Sequence, residues 1–323
     1  MEFDLIETIR VRTQGVRPDV VLGVGDDAAL LDVPAGQRLV ACTDTMVEGV
    51  HFLPGTAPGD LGWKSLAVNL SDLAAMGAEP AWALLALTLP TADARFVERF
   101  ADGFAELARA HGVALVGGDT TQGPLSVTVT ALGTLPIGES LPRAGACAGD
   151  AIFVTGTLGD AVGALRLLRS RGPGTGERNP PEVALRARLN RPEPRVAAGL
   201  ALRALANACI DVSDGLLADL GHVCAASGVG AEIDMEALPF SAELRAAFDE
   251  AACREFALSG GDDYELCFTA PAQRQAEIEA RLTNAGCRVT RIGCIVAGTS
   301  VRALDANGNA IATPHAGWEH FTP

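Results

Sequence analysis

Leu22-Gly-Val-Gly-Asp-Asp-Ala-Ala-Leu-Leu31 sets two adjacent carboxylates directly after a Gly-X-Gly turn, with apolar runs on either side. The preceding apolar run reads as a buried strand, and the glycines let the backbone turn at its end. The pattern recurs at Leu39-Val-Ala-Cys-Thr-Asp44, Ala114-Leu-Val-Gly-Gly-Asp119, Ala208-Cys-Ile-Asp211 and Leu258-Ser-Gly-Gly-Asp-Asp263. The chain therefore reads as a frame whose strands deliver acids to an edge.

Gly23-Val-Gly25-Asp-Asp-Ala28 also fits the dinucleotide fingerprint Gly-X-Gly-X-X-Ala, with Asp44 near the distance expected of a ribose-binding acid. Two features exclude it. Asp26 and Asp27 stand where a pyrophosphate needs bare backbone amides, and Ala29-Leu-Leu-Asp-Val-Pro34 is too short for the required helix. A P-loop needs Gly-Lys followed by Ser or Thr, whereas the single lysine, Lys64, lies between Trp63 and Ser65.

Around the acid turns, periodicity predicts helices over residues 3–11, 60–77 and 95–111 in the first half. Strands are expected over 20–23, 28–33, 81–89, 113–116 and 125–135, with one from Arg38 to Thr43 ending at Asp44. Pro136 to Asp150 is rich in glycine and proline and marks a boundary, giving domains 1–138 and 139–323. In the second half, strands are expected over 151–155, 208–212, 231–235, 256–259, 264–269 and 288–296. Helices are expected over 159–168, 195–207, 242–249 and 273–285, with a surface loop over 171–181. Ser213 or Asp214 is expected to cap a helix running to Ser227, and Asp305 to Gly308 to form a hairpin turn. Strands alternate with helices throughout, so the fold class is α/β with mixed sheets in both domains.

Composition narrows the partners. The 323 residues carry a formal charge of −15, which argues against nucleic acid or an anionic membrane surface. The N-terminus has no basic segment followed by an apolar core, and the longest apolar run, Ala81 to Leu87, is far too short to span a membrane. Eight cysteines are scattered singly without a Cys-X-X-Cys pair, as expected of small buried side chains in a reducing cytoplasm.

Taken singly, each acid turn fits a turn former or a helix cap. Taken together, carboxylates converging on one edge repel one another unless cations neutralise them. Oxygen ligands without a Cys or His cluster select Mg²⁺ or Mn²⁺. Asp72 belongs to this set because it shares a helix face with Ser65, Val68, Asn69 and Met76. His51 sits on a loop beyond the acidic edge. Trp63 and Trp82 read as core, and Trp318 fits either core or a stacking surface.

Gly23 to Leu30, Thr43-Asp-Thr-Met-Val-Glu-Gly-Val-His-Phe52, Val68 to Pro80 and Val116-Gly-Gly-Asp-Thr-Thr121 together resemble the thiamine-monophosphate kinase family. Asp211-Val-Ser-Asp-Gly-Leu216, Ser259-Gly-Gly-Asp-Asp-Tyr-Glu-Leu266 and Gly317-Trp-Glu-His-Phe321 extend the resemblance over essentially the whole chain. The aspartate motifs alone mark a wider superfamily that includes aminoimidazole ribonucleotide synthetase, and the His-Phe and Asp-Tyr-Glu-Leu segments narrow it.

The resemblance implies ATP-dependent phosphorylation of thiamine monophosphate to thiamine diphosphate by in-line transfer. It also implies a two-domain fold whose N-terminal sheet forms a barrel across a homodimer. By motif, Asp27, Cys42, Thr43, Asp44, Asp72, Asp119, Asp211 and Asp214 would hold several Mg²⁺ ions. Cys42 stands where the family often has Ser. Gly118, Asp119, Arg143 and Ser213 would bind ATP, and His51, Asp262 and Trp318 would bind thiamine monophosphate. Asp262 stands where Glu is frequent, and Trp318 where another aromatic is common. Two other classes remain open on the residues alone: another ATP-using synthetase or maturation enzyme, and a nucleotide- or metal-binding protein without turnover.

Overall fold

The strand that carries Asp44 continues past it. The computed structural model describes residues 2–15, 17–171, 179–311 and 317. Packing divides the chain into two compact units, Met1–Leu73 with Ala78–Gly138 and Ala74–Gly77 with Glu139–Pro323.

The first unit contains, in order, α1 (Glu2–Arg12), β1 (Val20–Leu22), β2 (Leu30–Leu31), β3 (Gln37–Val47), α2 (Pro58–Ala75), β4 (Glu79–Leu89), α3 (Ala94–Ala110), β5 (Ala114–Gln122) and β6 (Ser126–Pro136). β1 and β2 form a small antiparallel hairpin. The other four strands form a sheet in the order β3-β6-β4-β5, antiparallel except for β4 and β5. Among the described residues β3 and β5 are its edges, so the sheet is open rather than a closed barrel.

Strand alternation gives this sheet two unlike faces. On β3, Leu39, Ala41, Thr43 and Thr45 are exposed, while Cys42, Asp44 and Met46 turn toward the helices. On β4, Leu84 and Ala86 are exposed between the buried Ala83, Leu85 and Leu87. α2 and α3 approach closely because both carry glycine at the crossing. A Cβ on Gly62 would run into the Phe100 carbonyl, and one on Gly103 into the Gly59 carbonyl. Asp93 starts α3 by accepting the N–H groups of Arg95 and Phe96 at 2.9 and 3.1 Å.

The second unit runs β7 (Asp150–Thr155), α4 (Asp160–Arg171), α5 (Pro180–Asn190), α6 (Val196–Leu202), β8 (Ala208–Val212), α7 (Leu216–Ser227) and β9 (Gly230–Asp234). It continues with α8 (Ala242–Ala247), α9 (Glu250–Ser259), β10 (Glu265–Pro271), α10 (Gln275–Asn284), β11 (Val289–Val296), β12 (Val301–Leu304) and β13 (Ala310–Ile311). Among the described residues its sheet has the order β13-β12-β9-β11-β7-β10-β8. β7 is buried along its whole length, as its unbroken apolar run requires. One side packs into a core of Ile152, Val154, Ile210, Val212, Leu220 and Ile292. Phe153 and Phe268 stack at 5.2 Å between ring centroids.

Several expectations need correction. Phe256 to Ser259 is not a strand but the last turn of α9, which Asp249 starts by accepting the Ala252 N–H at 2.9 Å. The helix expected over 242–249 therefore ends at Ala247, where extended Phe248 leads into that cap. The helix expected over 195–207 covers only Val196–Leu202. Of the expected loop 171–181, residues 172–178 lie outside the described residues. Pro180 and Pro181 belong to α5, where Asn179 caps the helix and proline's missing N–H does no harm.

Candidate functional site

In the first unit, Asp44 and Asp119 do not stand at strand ends. β3 runs three residues beyond Asp44 to Val47, and Asp119 lies inside β5 opposite Ala86. The apolar runs stop before these acids, but the ladder continues through Thr, Met and Val on β3 and Thr-Thr-Gln on β5, so a hydrophobic count ends each strand early.

Cys42 marks where the inward acids gather. Its thiol donates to the Asn69 carbonyl on α2 at 3.3 Å. Burial pushes the thiol's pKa well up, and the neighbouring Asp72 and Asp44 charges push it further. Thr43 projects from the other face, where its hydroxyl lies 2.9 Å from Thr130 Oγ1 and 3.1 Å from the Val129 carbonyl. The alternation thus separates the Thr43 side chain from Cys42, Asp44 and Asp72.

Asp26 and Asp27 are exposed in the β1–β2 hairpin, after Gly25 at φ 126°. Gly118 has φ 153°, and a Cβ there would run into the Leu85 carbonyl, so only glycine fits this point of β5. On the loop after β3, His51 Nδ1 accepts the Val47 N–H at 3.0 Å. In the neutral ring that bond assigns the proton to Nε2.

In the second unit, β8 delivers Asp211, only 4% exposed, and the chain then turns through Ser213, Asp214 and Gly215 into α7. Neither Ser213 nor Asp214 caps that helix; Gly215 occupies the cap position without a side-chain bond. Asp219 does the work from within the first turns. Its Oδ2 accepts the N–H groups of Ser213, Asp214 and Gly215 at 3.0, 3.1 and 3.1 Å. Asp219 is 2% exposed, and burial raises its pKa to about 7, with Asp211 and Asp214 adding repulsion. Sequence reading passed over Asp219, although its position four residues after Gly215 puts it over the helix start.

The loop before β10 is fastened to the same place. Asp262 N–H donates to the Ser213 carbonyl at 2.8 Å, and Tyr264 N–H donates to the Val212 carbonyl at 2.9 Å. Between them Asp263 points inward and accepts the Gly159 N–H at 2.7 Å ahead of α4. Its pKa is raised well above the usual carboxylate range by burial. The next acid, Glu265, is fully buried and receives Arg188, Arg195 and Thr155 at 2.6 to 2.7 Å. Burial pushes Glu265 upward, yet Arg195 and Arg188 hold its pKa below the usual 4.5. Arg188 and Arg195 carry no sequence signal, because their role exists only once the helices have packed. Arg143 is exposed, and Trp318 lies outside the described residues.

Among the described residues, no three His, Cys, Asp or Glu side chains form a ready cage for a metal ion. The donors are nonetheless hard oxygens gathered in two places, Asp44 and Asp72 around Cys42, and Asp211 and Asp214 around Asp219. That set fits Mg²⁺, which typically binds through one or two carboxylates and completes its shell with water and substrate phosphate.

Residues 25–135 match the AIR synthase related protein N-terminal domain, and residues 148–305 match the corresponding C-terminal domain. Two α/β units carrying these acids therefore define an AIR synthase related protein. The thiamine-monophosphate kinase of Escherichia coli K12 is 45% identical over 99% of this chain and 98% of its own. The crystal structure of the thiamine-monophosphate kinase from Stenotrophomonas maltophilia K279a superposes with a TM-score of 0.89 at 51% identity, covering 96% of this chain and 98% of that one. A structure of AaThiL complexed with AMPPCP and TMP matches with a TM-score of 0.79 at 35% identity, over 99% and 97% of the two chains. The chain belongs to the thiamine-monophosphate kinase family.

Proposed function

We propose that the protein transfers the γ-phosphoryl group of ATP to thiamine monophosphate, giving thiamine diphosphate and ADP. The observation that carries this reading is the full-length likeness to AaThiL, solved with AMPPCP and TMP. An oxygen of the thiamine monophosphate phosphate forms the new P–O bond, and the bond from the γ-phosphorus to the bridging oxygen breaks, its electron pair leaving with ADP.

A monoester phosphate has a second pKa of about 6 and is mostly ionised at neutral pH. The nucleophile therefore needs no general base, in keeping with a site rich in aspartates. What remains is to align two polyanions and screen their repulsion. Asp27, Asp44, Asp72, Asp119, Asp211 and Asp214 are the proposed Mg²⁺ ligands, with Cys42 and Thr43 alongside. Bound Mg²⁺ would neutralise phosphate charge. Gly118, Asp119, Arg143 and Ser213 are assigned to ATP, with Gly118 allowing backbone approach and Arg143 supplying a fixed cation. His51, Asp262 and Trp318 are assigned to thiamine monophosphate, His51 as an Nε2–H donor.

The first unit, 1–138, is assigned ATP and Mg²⁺ binding and dimerisation, and 139–323 forms the second domain. The exposed face of the four-stranded sheet, with Leu39, Thr43 and Leu84, supports a homodimer in which two such sheets complete a barrel. Among the described residues no helix is long and apolar enough to cross a membrane.

Product analysis after mixing the protein with ATP, Mg²⁺ and thiamine monophosphate tests the reaction. Thiamine diphosphate and ADP should form together, only with Mg²⁺ and not from thiamine. ATP binding without thiamine diphosphate would reject the substrate.

A further inference from the structure

Asp262 and Tyr264 are the two non-glycine residues flanking Asp263, and both hold positive φ, 68° and 51°. Left-handed backbone at a non-glycine residue is strained by about 1–3 kcal/mol and persists only where surroundings over-determine it. Here they do. Asp263 is pinned to the Gly159 N–H, Glu265 to Arg188 and Arg195, and the flanking amides to the Ser213 and Val212 carbonyls. A loop that needed only to turn would carry glycine at both places. Keeping side chains at a strained position implies that the side chains are used.

The two side chains meet. Tyr264 donates its phenol proton to Asp262 Oδ1 at 3.0 Å. A phenol locked to one carboxylate oxygen fixes the plane of the group and so decides how its second oxygen is presented. We propose that Tyr264 is a positioning residue for thiamine monophosphate. It orients the Asp262 carboxylate toward a ligand that carries a cationic ring, and it acts through Asp262 rather than by its own contact. This rests on the assignment of Asp262 to that substrate.

Tyr264 is the chain's one tyrosine, so spectroscopy reads it alone. The test compares wild type, Tyr264→Phe, Asp262→Ala and the double variant. Steady-state kinetics are run with each substrate varied, alongside the ultraviolet Raman tyrosine doublet, which reports whether the phenol donates a hydrogen bond. Hydrogen bonds to charged groups are the stronger kind, so Tyr264→Phe should raise KM for thiamine monophosphate by about tenfold and leave KM for ATP within about twofold. The double variant should be no worse than Asp262→Ala, and Asp262→Ala should shift the doublet. If Asp262→Ala raises KM for thiamine monophosphate while Tyr264→Phe does not, or if the two effects add, the inference fails and the Asp262 assignment stands. An unmoved doublet in Asp262→Ala overturns it without kinetics. If Asp262→Ala leaves that KM unchanged, the Asp262 assignment itself falls and takes the inference with it.

Discussion

Asp219 Oδ2 accepts the Asp214 N–H at 3.1 Å, so a carboxylate buried in α7 holds the loop on which a proposed metal ligand stands. The same oxygen holds Ser213 and Gly215. Asp219→Ala would leave three backbone donors seeking a partner, at a total of about 3 kcal/mol after water enters. Asp219→Asn keeps an acceptor oxygen and should lose about 1 kcal/mol. Urea unfolding should rank the two variants in that order. Turnover at saturating substrates should fall at least about tenfold in the alanine variant, because Ser213 and Asp214 lose their set. Unchanged turnover would show that the loop holds its shape without Asp219.

Glu265 makes a different prediction, in stability and its pH dependence. Its folded pKa lies below the usual 4.5, so its contribution is complete above that pH and is lost as pH falls through the folded value. Glu265→Gln removes the charge between Arg188 and Arg195, and breaking a buried pair from one side destabilises by about 3–5 kcal/mol. At pH 7 the variant should unfold at markedly lower urea concentration. Below pH 4.5 its stability curve should converge on that of wild type. Parallel curves at all pH values would mean that folding does not lower the Glu265 pKa, so that its pairing with Arg188 and Arg195 adds no charge-dependent stability.

Cys42 should behave as a neutral donor. Burial and the charges of Asp72 and Asp44 oppose its thiolate, whereas Cys147 is exposed. Iodoacetamide at pH 8 should label Cys147 well before Cys42, as read by peptide mass spectrometry. Cys42→Ser keeps a donor for the Asn69 carbonyl and should retain turnover within about threefold. Early labelling of Cys42, or loss of turnover in the serine variant, would give the sulfur a role of its own.

Many of the candidate site residues carry local signals in the sequence. Asp119 and Asp262 directly follow paired glycines, Asp44 and Asp211 come at the end of largely apolar runs, and Asp72 lies on a predicted helix among small and apolar residues. The residues that hold those motifs were not legible. Asp219 looks like an ordinary helical acid, and Arg188 and Arg195 reach Glu265 only after seventy or more residues of chain have folded between them. The strands at Asp44 and Asp119 extend past the ends that the sequence predicts for a related reason. On β5 the backbone pairing with β4 continues where the cover stops, and on β3 the polar Thr43-Asp-Thr45 interrupts an apolar pattern that resumes at Met46, 4% exposed, while the pairing with β6 runs on. Thr43 enters the proposed Mg²⁺ set through the family resemblance, and strand alternation turns its side chain to the face opposite Asp44.

That opposite face supports the last prediction. Leu39 is 51% exposed on β3 and Leu84 37% exposed on β4, in a sheet whose other face turns Cys42 toward Asn69 of α2 and buries Ala83, Leu85 and Leu87. If a second copy completes a barrel over this face, a charge placed at its centre must be buried without a partner, and dimerisation should fail. Leu84→Arg should therefore lower the sedimentation coefficient from that of a dimer to that of a monomer. Leu84→Met, which keeps volume and apolarity, should leave the dimer intact. A charge on a face open to water would change neither the assembly nor the stability. A Leu84→Arg protein that sediments like wild type would thus remove this face from the interface.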